Sequence, residues 1–194
     1  MIYYWLHMIY IYTGSRIFWK KVKITSDFTR TRRVNILDCE SLRYMANSKY
    51  FYYMDLIRYE VVFRSKLYDN TIKKGMFGVL ASQKIIYKKP LKKFKKFDIT
   101  LKLEGSDEKW VYHRQTFEQN GQICAIGFTK AGFWKNKKVQ NMREIIINSD
   151  SENEIRTPSV EVMSMFENDY ETLNTNKKTS KKTSKKNGTQ NGIH

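Results

Sequence analysis

The chain has 194 residues, 41% of them hydrophobic and 14% aromatic, with a formal net charge of +17. That apolar content supplies a core and excludes wholesale disorder, and the length suits one domain, or one domain with tails. Only Cys39 and Cys124 are present, which excludes a disulfide framework or a cysteine-rich zinc site, and His7, His113 and His194 show no metal-ligand spacing. The expectation is a protein of a reducing compartment that needs no metal or other cofactor.

The N-terminal run MIYYWLHMIYIYTGSRIFWKK is apolar as far as Tyr12 and is interrupted by His7. It is shorter than the roughly 20 residues a membrane span requires. It also lacks a basic start and a small-residue cleavage site. Residues 1–27 therefore read as an aromatic extension, helix or strand, that packs on the domain or lies at a membrane surface, with packing the preferred reading.

RTRRVNIL, Arg30 to Leu37, carries β-branched residues and reads as a strand that delivers Asp38 and Glu40 into a turn. From Asn47 to about Ser65, Tyr50, Met54, Ile57 and Val61 recur at helical spacing. Phe51, Tyr53, Leu56 and Val62 broaden the apolar arc, so this helix is expected to be buried on more than one side. Asn47 is read as its N-cap, and Asp38 as an acceptor for backbone N–H groups of the turn. A carboxylate facing a helix N-terminus brings an acid/base group and an anion-stabilising dipole to one point, which suits acyl transfer through an oxyanion.

Gly75 and Gly78 punctuate a loop, after which residues 78–87 read as a strand. Its Ser82 and Gln83 pass near the helix, within reach of a substrate. Phe97, Ile99, Leu101 and Leu103 alternate with Asp98, Thr100, Lys102 and Glu104, the pattern of a half-buried antiparallel strand. GSDE at 105–108 is a turn into KWVYHRQTFEQ, and Asn120-Gly121 predicts a two-residue hairpin into QICAIGFTKAGFW. The order is that of an α+β fold: an antiparallel sheet of about five strands with one long helix covering its apolar face. Residues 136–158 read as an irregular polar segment and 160–170 as a short helix, within a C-terminal extension over 136–173. Residues 174–194 read as a disordered, lysine-rich tail.

The charge is concentrated in that tail and in KKPLKKFKKF, residues 88–97. Solvated loops are the plain reading. A surface for the phosphates of a cofactor-linked substrate, for an anionic membrane or for nucleic acid are the sharper ones. Nucleic acid ranks last, because the alternation from Phe97 onward belongs to the sheet.

The segment Asp38, Cys39, Glu40, Ser41, Leu42, Arg43, Tyr44, Met45, Ala46, Asn47, Ser48, Lys49, Tyr50 resembles the D-x-D-x-x-x-H-M-N-N-x-x-Y entry to the helix of thioesterase-like proteins of the hotdog fold. The stretch from Ala81 to Phe117 resembles that family's later strands. The likeness runs over roughly residues 1–135, with the hotdog domain at 28–135. It implies hydrolysis of a fatty acyl-coenzyme A thioester, hence lipid metabolism, by a cytoplasmic or membrane-associated homodimer or dimer of dimers. It assigns Glu40 as general base or nucleophile, with Asp38, Asn47 and Tyr44 beside it. N–H groups around Asn47 and Ser48 would meet the oxyanion, and Phe51, Met54, Ser82 and Gln83 would meet the acyl group. Glu40, Tyr44 and Ala46 stand where the family has Asp, His and Asn. The alternative is a catalytically degenerate hotdog protein that binds acyl-coenzyme A or lipid, or serves as a structural dimer. Peripheral membrane contact is a further expectation, and nucleic acid is not an expected partner.

Overall fold

The computed structural model describes residues 2–40, 42–149 and 156–169. Its centre is α2, Asn47–Arg64, 18 residues, or about 27 Å at roughly 1.5 Å per residue. Tyr50, Tyr53, Met54, Leu56, Ile57, Val61 and Phe63 are all buried, so apolar residues occupy more than one face of the helix. Such an arc needs cover on more than one side, and a sheet that wraps around the helix supplies most of it.

The strands are β1 (Phe28–Arg33), β2 (Phe77–Tyr87), β3 (Lys96–Ser106), β4 (Val111–Gln119), β5 (Gln122–Lys135) and the short β6 (Lys138–Val139). Their order is β1-β3-β4-β5-β2, with β6 on β5, and every pairing is antiparallel. This is the hotdog arrangement, a curled sheet around one long helix. The alternation in β3 holds: Phe97, Ile99, Leu101 and Leu103 face the core. Asn120 and Gly121 both have positive φ, 53° and 69°, which makes the tight hairpin between β4 and β5.

Two contacts set the helix on the sheet. Gly127 of β5 lies so close to α2 that a Cβ there would overlap Met54 Sδ and Cε. On the β1 side, Glu60 is fully buried and held by three arginines. Arg30 reaches it at 2.7 Å and Arg64 at 2.9 Å, with Arg32 at 3.5 Å. A buried carboxylate is tolerable only when paired in this way.

The N-terminal segment is the helix α1, Ile2–Thr13, and it packs on α2. Ile11 is fully buried, Tyr4 meets the Tyr52 ring edge-on at 5.9 Å, and Tyr12 meets Phe63 at 5.3 Å. Its other side leaves Trp5, Leu6, Ile9 and Tyr10 exposed, continued by Ile17 and Phe18. Among the described residues no helix is long and apolar enough to cross a membrane.

The structure corrects the sequence reading in several places. The strand ends at Arg33 rather than Leu37, because Asn35 and Asp38 close a capping box that turns 36–38 into a 3₁₀ helix. The segment after β5 is not irregular: beyond α3 (Leu67–Asn70) the next helix, α4, runs Met142–Ser149. It buries Met142, Ile145, Ile146 and Ser149, a short helical stripe among polar neighbours. The turn after β3 sits slightly later than GSDE, where the Asp107 carboxylate accepts from the N–H groups of Lys109 (2.8 Å) and Trp110 (2.7 Å).

The chain falls into two compact units, the first ending at Pro158. The second begins at Ser159, whose hydroxyl accepts from Val162 N–H at 3.3 Å to cap the short helix α5, Val160–Ser164. The lysine-rich tail of 174–194 lies outside the described residues.

Candidate active site

The turn before α2 is built by Asp38. Its carboxylate is fully buried and accepts from Asn35 N–H at 2.9 Å and from Tyr53 Oη at 2.8 Å, with Lys49 Nζ 3.4 Å away. Burial first, then the charge of Asp38, raises the Tyr53 phenol above its ordinary value, so it remains a donor. Asp38 is thereby committed to holding the turn and the helix together. Beside it the Cys39 thiol is pushed up by burial, which keeps it from being a ready thiolate nucleophile.

The loop that follows Asp38 is closed at its ends, Cys39 bridging Met45, while Ala46 N–H donates to Asp38 O at 2.8 Å. Glu40 lies on this loop and is exposed. The helix cap is Ala46, not Asn47, which is the first helical residue. Alanine has no side-chain acceptor, so the first-turn N–H groups of α2 carry no side-chain cap. An uncapped helix start is a positive dipole end open to an anionic oxygen. Asn47 and Ser48 are exposed at this end, and Tyr44 is exposed and bridges to Lys92.

That bridge brings in the lysine run. Met45 N–H donates to Leu91 O, Lys93 N–H donates to Arg43 O, and Leu91 N–H donates to Tyr50 Oη at 3.0 Å. Leu91 and Phe97 are buried anchors, and Lys88, Lys89, Lys92, Lys95 and Lys96 are exposed. The basic segment is thus stitched along the loop that carries Glu40. Sequence spacing could not reveal this, because the two segments are about fifty residues apart.

Behind the helix start lies an aromatic cluster. Tyr50 packs edge-on against Phe117 and Tyr87, both at 5.1 Å, and Tyr53 against Phe97 at 5.1 Å. Pairs of this kind add about 0.5–1.5 kcal/mol each beyond area burial and fix the helix end. Of the expected acyl-side residues, Met54 is fully buried and Gln83 Nε2 approaches its sulfur at 3.8 Å. Phe51 and Ser82 are half-buried.

A second feature went unread in the sequence. A cavity of about 180 Å³ lies between the C-terminal half of α2, the start of β2, β4, the end of β5 and α4. Its walls are apolar, Phe133 among them, except for Asp55, Arg58, Tyr59 and His113. Asp55 and Arg58 form an ion pair, and Arg58 Nη1 donates to Thr129 Oγ1 at 3.0 Å. The buried Thr129 hydroxyl donates in turn to Gln115 Oε1 at 2.8 Å. Among the described residues no cluster of three or more His, Cys, Asp or Glu could hold a metal ion.

A family model for the thioesterase-like superfamily matches residues 34–162. Among solved structures, a hypothetical protein from Aquifex aeolicus is 26% identical with a TM-score of 0.57, covering 62% of this chain and 97% of its own. A 1,4-dihydroxy-2-naphthoyl-CoA thioesterase from Synechocystis is 16% identical with a TM-score of 0.52, covering 63% and 97%. A thioesterase complexed with coenzyme A and Zn from Thermus thermophilus is 18% identical with a TM-score of 0.51, covering 62% and 94%. No curated protein matches the chain.

Proposed function

The chain belongs to the thioesterase-like superfamily, and we propose that it hydrolyses the thioester of a fatty acyl-coenzyme A at the start of α2. The observation that carries this reading is the pinned loop after Asp38. It sets one acid, an uncapped helix N-terminus and the lysine run along a single edge of the domain. Two of the solved relatives act on or bind coenzyme A compounds, and lysines 88–96 offer the charge that coenzyme A phosphates need.

In the reaction Glu40 accepts a proton from water as the water oxygen bonds to the thioester carbon. The N–H groups of Asn47 and Ser48 meet the oxyanion that forms. When the carbonyl re-forms, the carbon–sulfur bond breaks and the thiolate takes the proton back from Glu40. The products are a carboxylic acid and free coenzyme A. The acyl group lies toward Phe51, Met54, Ser82 and Gln83. Tyr44 borders the site, and Asp38 positions it.

The site is completed by a second copy of the chain. Supporting this, β2 is a sheet edge of 11 residues whose outer side pairs with no strand among the described residues, and it exposes Phe77, Leu80, Ile86 and Tyr87. A long apolar edge of this kind is a template for pairing with another strand. The exposed face of α1, with Trp5 and Tyr10, continued by Ile17 and Phe18 next to Lys20 and Lys21, supports peripheral contact with a lipid surface.

The test is thiol release from acyl-coenzyme A compounds of graded chain length. Glu40→Ala is expected to lower kcat at least a hundredfold. Equal, background-level release by both proteins would remove the enzymatic reading. The second reading, a protein that binds acyl-coenzyme A without turnover, draws on the exposure of Glu40 and on Tyr44 in the histidine position. Tight binding without release would select it.

A further inference from the structure

We propose that the loops around the start of α2 form a docking surface for an anionic phospholipid bilayer, separate from the exposed face of α1. Such docking involves none of the side chains of α1 and does not depend on thioester hydrolysis.

The backbone knits these loops into one rim. Phe94 N–H donates to Val34 O at 2.8 Å, Lys93 N–H to Arg43 O at 2.9 Å, and Met45 N–H to Leu91 O at 2.9 Å. Residues 34–38, 42–46 and 91–95 therefore lie together at the N-terminal end of α2. On this rim large apolar side chains stand in solvent: Leu42 is 81% exposed, Leu37 68% and Phe94 53%. Each is unfavourable in water. A bilayer interface takes up apolar tips from separate loops without needing a matching pocket.

Phe94 is the second observation. Its φ is 61°, a region in which a bulky residue is an outlier. Two bonds hold it there: Phe94 N–H donates to Val34 O, and Arg33 Nη1 donates to Phe94 O at 3.1 Å. A strained turn clamped from both sides, whose outcome is an exposed ring, points to a use for that ring. Lys93 Nζ lies 5.0 Å from the ring centroid, so cation and apolar surface are presented together.

Charge selects the partner. Residues 33–46 and 88–96 carry Arg33, Arg43 and six lysines, and their acids are Asp38 and Glu40. Asp38 is buried, bonded to Tyr53 and close to Lys49. Lys88, Lys89, Lys92, Lys95 and Lys96 are exposed. A cationic rim around apolar tips matches anionic headgroups lying over hydrocarbon. Nucleic acid would engage the lysines but offers little to Leu37 and Leu42. A second copy docking here across a two-fold axis would set these cations against their own kind.

The experiment mixes the full chain with phosphatidylcholine vesicles, with or without phosphatidylserine, at about 0.1 M salt, and measures partitioning by flotation. Binding should be at least tenfold stronger with phosphatidylserine. Lys92→Glu with Lys95→Glu should weaken it at least tenfold, and Leu37→Ser with Leu42→Ser about tenfold. Both pairs are exposed, so circular dichroism should not change. In the wild-type chain the vesicles should slow amide hydrogen exchange in residues 36–40 and 92–95, a measurement that needs no variant. No preference for phosphatidylserine, full binding by the leucine pair, or unaltered exchange in both segments would each overturn the proposal. So would displacement by RNA at equal phosphate concentration, which assigns the rim to nucleic acid, or a wild-type dimer that the leucine pair dissociates, which assigns it to a second copy.

Discussion

Replacing Glu60 by Gln asks whether the arginine clamp holds the central helix against β1. The Glu60 carboxylate is fully buried and meets Arg30 at 2.7 Å, Arg64 at 2.9 Å and Arg32 at 3.5 Å. Glutamine keeps the shape and removes the charge, leaving three guanidinium groups facing one another. Breaking a buried pair from one side costs about 3–5 kcal/mol. Here the arginine side chains retain 11–27% exposure, so water screens part of the loss. The expectation is the lower end of that range, about 3 kcal/mol. For a chain of this length that corresponds to a fall in Tm of about 6–12 °C. Urea unfolding followed by far-UV circular dichroism would measure it, with an unchanged m-value showing that the unfolded state is not the cause. A loss below about 1 kcal/mol would refute the reasoning, because it would class these bonds with ordinary surface pairs.

Acid should destabilise the protein through His113. Its folded-state pKa, about 3, lies below the unfolded value near 6.5, so the unfolded chain binds the extra proton and stability falls as pH drops through that window. Between pH 7.5 and pH 5 the loss from this group should be about 2 kcal/mol, and denaturation curves of His113→Phe should lack that component. Gly127→Ala should cost about 1–2 kcal/mol by pushing Met54 out of its place, and the cost should vanish in a Met54→Ala background if that contact is its source. On the membrane side, the wild-type chain should float with vesicles containing phosphatidylserine at low salt. A Trp5→Ser, Ile9→Ser double variant should not, since it strips the exposed face of α1; equal flotation would point to charge alone.

Periodicity and local chemistry made much of the fold legible before any coordinates. Tyr50, Met54, Ile57 and Val61 mark α2 by helical spacing, the alternation from Phe97 to Leu103 marks β3, and Asn120-Gly121 marks the hairpin between β4 and β5. Each of these signals arises within a few residues, from backbone geometry that repeats at 3.6 or at 2. Where two local signals compete, the sequence is less decisive. Asn47 has the chemistry of a cap, yet Ala46 takes the position because its carbonyl and N–H are set by the pairing of the loop after Asp38. The short apolar stripe of α4 is diluted by its polar neighbours and becomes a helix through burial of Met142 and Ile146.

The identity of the acidic turn was readable, since Asp38, Glu40 and the helix that follows are contiguous. What only the tertiary structure decided is who stands around them. The lysine run lies along the Glu40 loop because Leu91 and Phe97 sink into the core and the backbone of Leu91 and Lys93 pairs with Met45 and Arg43. Glu60 meets Arg30 and Arg32 because β1 crosses the helix, and Asp55, Arg58 and His113 meet in one cavity because β4 passes beneath α2. Contacts between distant segments cost chain entropy that no local pattern records. They form only once burial of the whole core has brought those segments together.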